Sequence, residues 1–347
     1  MGTVADRRTT GTVANRPTMV LLLPGQGAQH PRMATGLYGT EPVFTAAMDE
    51  VFGLVDTETA GEGERLRADW LSEHPAVDLD HVTRSQPLLF AVDHALGRLV
   101  RSWGARPDAL LGHSIGELAG AVLSGVFTLA DATRLVLDRI RLLADAPPGG
   151  MLAVAATPQE LAPFLDGDVV VGAVNAPRQT VLAGPDPALE LVHKALEAQD
   201  FTCRRLPSLS PFHSPAVGPA LAGSEAAVAA LPSSAPVIAL HSCYTARPLG
   251  QEDVADPLYW ARQPVAPVVF WSALDALLSE RDAVLVEAGP GQGLAQLARR
   301  HPAVRAGRST VVPLLPARPG PPERDRASVE AARESLASYG LTGEPSR

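Results

Sequence analysis

The feature that most constrains this chain is the pentapeptide Gly112-His113-Ser114-Ile115-Gly116, which follows an apolar stretch at residues 107–111. A run of residues that favours helix, 117–123, comes directly after it. Glycines two positions before and two after Ser114 allow the tight strand-to-helix turn that exposes a nucleophilic hydroxyl at a helix N-terminus. Taken alone, the pentapeptide fits a nucleophile and a helix-capping serine about equally well.

Composition sets the class of protein in which this turn occurs. The chain has 347 residues, of which 46% are hydrophobic, enough for one large domain and a smaller one. Mean hydropathy is +0.07, and no uncharged apolar run reaches the roughly 18 residues of a membrane span, so no membrane association is predicted. The net charge of −9 argues against nucleic acid as a partner.

Two features indicate a cytoplasmic protein. The only cysteines are Cys203 and Cys243, which support neither a disulfide framework nor a zinc site and suit a reducing compartment. Residues 1–17 contain arginines but no apolar core of the kind found in signal peptides, and they are predicted to form a disordered leader.

Strand and helix patterns alternate through residues 18–146 and resume in residues 210–316, which predicts a large α/β domain with a mainly parallel sheet. Its strands are predicted at residues 18–23, 107–111, 237–241 and 283–287, and its helices at residues 41–54, 86–103, 117–123, 129–144 and 294–300. Residues 317–347 are rich in Pro and Arg and then in Ala and Glu, and they are predicted to be a peripheral tail.

A different rhythm runs through residues 147–209, which begin at the break Pro147-Pro148-Gly149-Gly150. The elements predicted there are strands at 151–155, 169–174, 180–183 and 201–206 and helices at 158–165 and 188–198. This strand-helix-strand-strand-helix-strand order predicts a ferredoxin-like subdomain inserted into the larger domain.

A serine nucleophile needs a base within hydrogen-bond reach, and His213 is the best candidate among nine histidines. It lies in the loop 210–215, Ser-Pro-Phe-His-Ser-Pro, which two prolines and an aromatic residue would stiffen. A loop histidine that caps a helix is the alternative. His241 is the second candidate base, although its place at a strand end favours a structural role.

Arg139 lies on the apolar face of the predicted helix 129–144. At about 100° per residue, Leu135, Val136 and Leu142 share its arc. A guanidinium on a core-facing stripe needs an anionic partner or a wet cleft. Two interpretations remain open: an ion pair with Glu117 or another acid, and a fork that clamps a substrate carboxylate.

Acyl transfer also needs two N–H donors for the oxyanion of its tetrahedral intermediate. The backbone N–H of Ile115, directly after the serine, is one candidate. The turn Pro24-Gly25-Gln26-Gly27, at the end of the first predicted strand, has the form expected for the other donor. A plain turn that ends a strand is the alternative interpretation.

In combination, these motifs resemble the malonyl-CoA:acyl-carrier-protein transacylase family, which includes the acyltransferase domains of polyketide synthases. The resemblance covers about residues 19–316. It rests on Pro24-Gly25-Gln26-Gly27-Ala28-Gln29, Gln86-Pro87, Gly112-His113-Ser114-Ile115-Gly116-Glu117, Arg139, Val174-Asn175-Ala176-Pro177, Phe212-His213-Ser214-Pro215 and Glu287-Ala288-Gly289-Pro290-Gly291. It implies an α/β-hydrolase-like large domain with an inserted ferredoxin-like subdomain.

The resemblance also implies roles for particular residues. Ser114 would be the acylated nucleophile and His213 its base. Gln26 and Ile115 would supply the amides of the oxyanion hole. Arg139 would bind the free carboxylate of a dicarboxylic acyl group, and no metal would take part.

Substrate choice in the family depends on the residues around this site. Ile115 after the serine and Phe212 before the histidine resemble the malonyl-selective pattern, and Ser210 and Asn175 are further candidates for substrate contact. Ser210 and the proline after it depart from the more usual His-Ala, which would reshape the pocket wall beside Phe212. Val269 stands where relatives often have a polar side chain, so a backbone carbonyl is expected to orient His213.

The resemblance therefore implies a discrete acyltransferase that acts in trans, with acyl-CoA or acyl-phosphopantetheine as substrate, an acyl carrier protein as partner and no permanently bound cofactor. Carrier proteins are usually acidic, so arginines are the expected contacts, with four candidates: Arg204, Arg205, Arg299 and Arg300. Three alternatives remain. The chain could move a larger acyl, aminoacyl or peptidyl group between two carrier proteins, act as a serine hydrolase or thioesterase, or bind carriers without catalysis.

Overall fold

A computed structural model describes residues 16–143, 146–165 and 167–343. The predicted leader, residues 1–17, falls outside these ranges except for its last two residues. Within the described ranges, no helix combines the length and the apolar character needed to cross a bilayer.

Strands and helices alternate along most of the chain. The strands are β1 (Thr18–Leu23), β2 (Ala109–Gly112), β3 (Gly149–Val154), β4 (Val170–Ala176), β5 (Gln179–Pro185), β6 (Cys203–Arg205), β7 (Ala239–Ser242), β8 (Ala283–Glu287) and β9 (Thr310–Pro313). The helices are α1 (Pro42–Glu58), α2 (Glu62–Leu71), α3 (Val82–Ser102), α4 (Gly116–Leu123), α5 (Leu129–Leu143), α6 (Pro158–Leu161), α7 (Asp186–Glu197), α8 (Ser224–Ala229), α9 (Gln251–Ala255), α10 (Pro257–Ala261), α11 (Phe270–Glu280), α12 (Gly293–Ala298), α13 (Pro302–Arg305) and α14 (Pro322–Ser338).

The large domain is built on a five-stranded parallel sheet in the order β7-β2-β1-β8-β9. Side chains alternate across a strand, so the apolar residues of β1 serve two cores. Met19, Leu21 and Leu23 face the core that α1 and α3 complete, whereas Val20 and Leu22 face a second core that includes α11 and α12. A strand buried on both faces explains the unbroken apolar run in the sequence.

The small subdomain is a four-stranded antiparallel sheet in the order β4-β5-β3-β6. One face carries a core of its own with α6 and α7, which includes Leu152, Leu182 and Leu189. The opposite face joins the second core of the large domain through residues such as Val181. Backbone bonds strengthen this junction, since Val174 N donates to the Val268 carbonyl over 2.8 Å.

The C-terminal segment differs from the peripheral tail that its composition predicted. Residues 322–338 form α14, and Asp325, Val329, Ala332 and Leu336 are buried against the large domain. The Asp325 carboxylate accepts a 3.0 Å hydrogen bond from the amide of Gly36. The residues buried in this helix recur every three or four positions, which is a helical pattern. Frequent Ala, Glu and Arg residues make the apolar stripe narrow, so the pattern is weak in the sequence.

Candidate active site

Ser114 lies at a sharp turn between β2 and α4. Its φ is 55°, in the left-handed region that non-glycine residues seldom adopt. The flanking glycines are needed because the turn is tightly packed: a Cβ on Gly116 would lie 2.2 Å from the Leu23 carbonyl oxygen. A Cβ on Gly25 would lie 2.4 Å from the carbonyl oxygen of His113. The turn after β1 and the turn at Ser114 are therefore in direct backbone contact.

The structure brings His213 to Ser114. Serine Oγ and histidine Nε2 are 2.8 Å apart although 99 residues separate them in the chain. His213 also has a positive φ, 61°, and its amide donates to the Pro264 carbonyl over 2.7 Å. His241, the second candidate base, lies within β7 and does not line the pocket at Ser114.

Hydrogen bonds to the other ring nitrogen establish the tautomer of His213. Its Nδ1 lies 2.9 Å from the Ala266 carbonyl oxygen and 3.2 Å from that of Gln263. Carbonyl oxygens can only accept, so Nδ1 carries the proton and Nε2 is free to accept from the Ser114 hydroxyl. As expected from Val269, backbone carbonyls orient the ring. Burial, with a smaller effect from His113, lowers the pKa of His213 to about 4, so the ring is neutral at pH 7.

The two predicted oxyanion donors are both available. Neither the Gln26 amide nor the Ile115 amide donates to another residue in the described part of the chain. The Gln26 side chain is fixed, since its Oε1 accepts from Gln86 Nε2 over 2.8 Å. Contact between Gly25 and the Ser114 turn brings the two segments that carry these amides together.

Arg139 is buried next to the serine and histidine, with 8% of its surface exposed. Its Nη2 donates to the Trp260 carbonyl over 2.5 Å and to Gln263 Oε1 over 3.1 Å. No described carboxylate forms an ion pair with it, and its Nε and Nη1 have no acceptor among the described residues. Burial lowers the pKa of Arg139 to about 10, which leaves it charged at pH 7.

Glu117 is therefore not a direct ion-pair partner of Arg139. Its Oε1 accepts from Tyr259 Oη and, over 3.1 Å, from Gln263 Nε2, and its Oε2 accepts from the Cys243 amide over 3.0 Å. The Gln263 side chain thus bridges the arginine and the glutamate. Burial raises the pKa of Glu117 to about 7, although these donors and Arg139 act in the opposite direction.

A small pocket joins these groups. The residues that line it are Gln86, Ser114, Ile115, Val136, Arg139, Ile140, Leu143, Phe212, His213, Tyr244, Gln263 and Pro264. Phe212 is in the wall, as predicted, but Ser210 is not. The Ser210 carbonyl accepts from Ser208 Oγ and from the Phe212 amide, which holds residue 210 in the adjoining turn. The substitution at Ser210 therefore does not reshape this wall directly.

Comparison with known proteins identifies the family. The sequence model of the acyl transferase domain family matches residues 20–344. This chain belongs to that family. Both the sequence-based resemblance and the predicted fold class are thereby confirmed.

Three relatives illustrate the similarity. The chain is 38% identical over 301 residues to a component of the phenolphthiocerol/phthiocerol polyketide synthase of Mycobacterium tuberculosis, an alignment that covers 87% of this chain and 20% of the mycobacterial protein. The acyltransferase domain from the second module of the salinomycin polyketide synthase superposes with a TM-score of 0.82 at 33% identity, over 94% of this chain and 75% of that one. The malonyl CoA-acyl carrier protein transacylase from Coxiella burnetii shares the fold, with a TM-score of 0.78 at 22% identity over 94% and 99% of the two chains. The chain spans about a fifth of the length of the mycobacterial relative.

A groove between the large domain and the subdomain adjoins the Ser114 turn. Its lining includes Gln26, His113, Asn175, Arg204 and Arg300. Asn175 was predicted to contact substrate. Its Oδ1 lies 2.9 Å from His113 Nε2, so it also ties β4 of the subdomain to the Ser114 turn.

The four candidate arginines divide into two pairs. Arg204 and Arg300 line the groove, and Arg300 donates to Gln179 Oε1 over 2.8 Å. Arg205 instead forms an ion pair with Asp186, because successive residues of β6 point to opposite faces. Arg299 lines a separate depression beside β8 and β9.

Gln263 and Tyr244 are the site residues that sequence reasoning missed. Both lie in irregular segments, after α10 and after β7, and no local spacing marks them. The only signal for Gln263 is its position close before Val269, the residue whose apolar side chain predicts that a backbone carbonyl orients His213.

Proposed function

We propose that this chain transfers a malonyl group from coenzyme A to the phosphopantetheine thiol of an acyl carrier protein, in the cytoplasm and in the service of polyketide biosynthesis. The observation that carries the proposal is the 2.8 Å contact between Ser114 Oγ and the neutral His213, in a pocket that also contains the buried Arg139. Acyl transfer needs a nucleophile with its base, which Ser114 and His213 provide. The guanidinium of Arg139 would select an acyl group that carries a carboxylate.

In the first half-reaction, Ser114 Oγ attacks the thioester carbonyl carbon while its proton passes to His213 Nε2. The resulting oxyanion accepts hydrogen bonds from the amides of Gln26 and Ile115. Collapse of this intermediate breaks the carbon–sulfur bond. The departing thiolate takes the proton from His213, which leaves a malonyl ester on Ser114 and a free thiol.

In the second half-reaction, the carrier's thiol transfers its proton to His213 and attacks the ester carbonyl. Collapse now returns the Ser114 alkoxide, which regains the proton from His213. Transfer requires that water does not compete with the thiol, and a narrow pocket with mostly apolar walls favours that outcome.

Arg139 supports a dicarboxylic acyl group. Trp260 and Gln263 occupy Nη2, whereas Nε and Nη1 remain without a described acceptor. The Nε and Nη1 hydrogens point to different sides of the guanidinium, and each can donate a charge-assisted hydrogen bond to a substrate carboxylate. Burial of a guanidinium without a carboxylate partner has an unfavourable desolvation free energy. The carboxylate of a bound malonyl group would offset part of it.

The size of the pocket favours a short acyl group. Its volume is about 20 Å³, compared with the roughly 10–15 Å³ that one water molecule needs. The larger acyl, aminoacyl or peptidyl groups considered from the sequence would have to displace the pocket walls further than a short acyl group. Because Ser210 lies outside the wall, its departure from the family pattern provides no extra room there.

The groove between the domains is where we place the phosphopantetheine arm. Its lining includes His113 of the Ser114 turn, Asn175, Arg204 and Arg300. Guanidinium groups bind phosphate and the acidic side chains typical of carrier proteins. The two arginines support docking of the carrier at this groove, despite the overall charge of −9.

The direct test is acyl-enzyme formation. Wild type and Ser114→Ala are incubated with malonyl-CoA and measured by intact-protein mass spectrometry, with the exposed Ser102→Ala as matched control. We expect one malonyl adduct on wild type and on Ser102→Ala and none on Ser114→Ala. A normal adduct on Ser114→Ala would exclude Ser114 as nucleophile. Hydrolysis that exceeds transfer when carrier protein is present would identify a thioesterase instead.

A further inference from the structure

Tyr244 is the large side chain of the pocket that neither the motifs nor the mechanism above explains. It follows β7 and lines the same pocket as Ser114, Arg139 and Phe212. Its ring centroid lies 6.2 Å from that of His213. Tyr244 therefore shares the wall of one pocket with the nucleophile and the guanidinium.

The ring is held firmly in this position. Its amide donates to Ser242 Oγ over 2.9 Å, and the same oxygen lies 2.6 Å from Tyr259 Oη. The rings of Tyr244 and Tyr259 meet edge to face at 6.5 Å, and Tyr259 meets Trp260 in the same way at 5.0 Å. An aromatic wall supported in this manner cannot move aside without disturbing the tyrosine that binds Glu117.

The chemistry of a malonyl ester determines what the wall meets. With its carbonyl on Ser114 and its carboxylate on Arg139, the ester must place the intervening α-carbon between these two residues. Any substituent on that carbon has to enter the pocket that Tyr244 and Phe212 help to line. The pocket volume is only about 20 Å³. A firmly held wall there penalises a branched α-carbon more than an unbranched one.

We infer that Tyr244 is a specificity-determining residue, whose ring excludes 2-alkylmalonyl thioesters and restricts the enzyme to unbranched malonyl. This inference rests on the proposed function and adds a residue to the pattern at Ile115 and Phe212. It assigns the effect to the volume of the ring and not to its hydroxyl. The two contributions can be separated by substitution.

The experiment compares malonyl-CoA with methylmalonyl-CoA as acyl donors for wild type, Tyr244→Val, Tyr244→Leu and Tyr244→Phe. The ratio of the two kcat/KM values is measured from the rate of acyl-enzyme formation. Because one methylene in a hydrophobic pocket changes selectivity by about 10–200-fold, we expect both aliphatic variants to raise the methylmalonyl-to-malonyl ratio by about tenfold or more. Tyr244→Phe should keep the ratio of wild type. The control is Tyr339→Val, at a half-exposed tyrosine in the separate depression near β9, because it makes the same change of side chain away from the pocket.

Two results would overturn the inference. One is an unchanged ratio in both aliphatic variants while malonyl is still loaded. The other is a rise in Tyr244→Phe as large as in Tyr244→Val, which would assign selectivity to the hydroxyl. Circular dichroism verifies that each variant is folded, and the leucine variant serves if the valine variant is not. A wild type that forms no malonyl adduct would instead contradict the proposed function itself, so the two failures are distinguishable.

Discussion

Ser114 and His213 both adopt left-handed backbone conformations, with φ of 55° and 61°. For residues other than glycine, such a conformation has a cost of about 1–3 kcal/mol and persists only where the surroundings enforce it. Here they do: glycines at the serine turn admit close backbone contact, and the His213 amide is bound by the Pro264 carbonyl. The strained backbone therefore belongs to the two residues whose side-chain atoms must meet, Ser114 Oγ and His213 Nε2.

At this scale, the clearest prediction concerns Arg139. Its replacement by alanine removes the donors for a substrate carboxylate, so we expect kcat/KM for malonyl loading to fall by about 100-fold or more. Acetyl loading, which has no carboxylate to lose, should change by much less. Rates of acyl-enzyme formation with malonyl-CoA and acetyl-CoA provide the measurement.

Arg141→Ala is the matched control, since Arg141 is on the same helix but exposed and paired with Asp138. It should leave both rates near those of wild type. Equal losses for malonyl and acetyl in Arg139→Ala would mean that the guanidinium has only a structural role.

Elements with one dominant pattern could be predicted from the sequence, and elements that depend on tertiary partners could not. The bounds predicted for β1, residues 18–23, match the structure because that strand is buried on both faces. The order of strands and helices along the subdomain also matches the prediction. Gln263 and Tyr244 were missed because their roles arise only when a loop after α10 and a loop after β7 meet the Ser114 turn. Short helices such as α9 and α10 lacked the length that makes periodicity visible.

Helix α3 carries a buried group that the active site does not use. His94 is 3% exposed and neither ring nitrogen has a hydrogen-bond partner among the described residues. Burial lowers the pKa of His94 to about 4, below the value of 6.5 expected in the unfolded chain. As pH falls, the unfolded state binds a proton first, so stability present above pH 6.5 is lost progressively down to about pH 4.

We therefore expect His94→Leu to reduce the loss of thermal stability between about pH 7.5 and about pH 5, because leucine fills the site without a titrating ring. His213 shifts in the same direction, so part of the loss should remain. Melting temperatures at the two pH values test this, with exposed His74→Leu as control. An identical loss in His94→Leu and wild type would contradict the prediction.

Across the whole molecule, two domains share a core, and their junction forms the groove beside the Ser114 turn. The second core contains residues of the large parallel sheet and of the antiparallel sheet together. A carrier that docks at the groove therefore meets both domains. Because the net charge is negative, an acidic partner is not attracted to the protein as a whole. We expect it to approach where arginines are clustered.

The paired arginines allow a test with internal controls. We expect Arg204→Ala and Arg300→Ala each to lower kcat/KM for transfer to the carrier by about 3–10-fold at low salt, with a smaller effect at high salt because screening weakens charge contacts. Their sequence neighbours, Arg205→Ala and Arg299→Ala, should have little effect, since those side chains point elsewhere. Transfer from malonyl-enzyme to carrier protein, measured at two ionic strengths, provides the readout. Equal effects of all four substitutions would argue against docking at this groove.

The docking of α14 has a practical consequence for the construction of chimeras with this chain. Asp325 binds the Gly36 amide, and a Cβ on Gly36 would lie only 2.0 Å from the Pro322 carbonyl oxygen. The last helix is thus fastened to the segment that follows the Gln26 turn. A chimera joined near residue 316 would pair this segment with a foreign helix, so the safer junction lies beyond residue 341, where Leu341 completes the buried stripe.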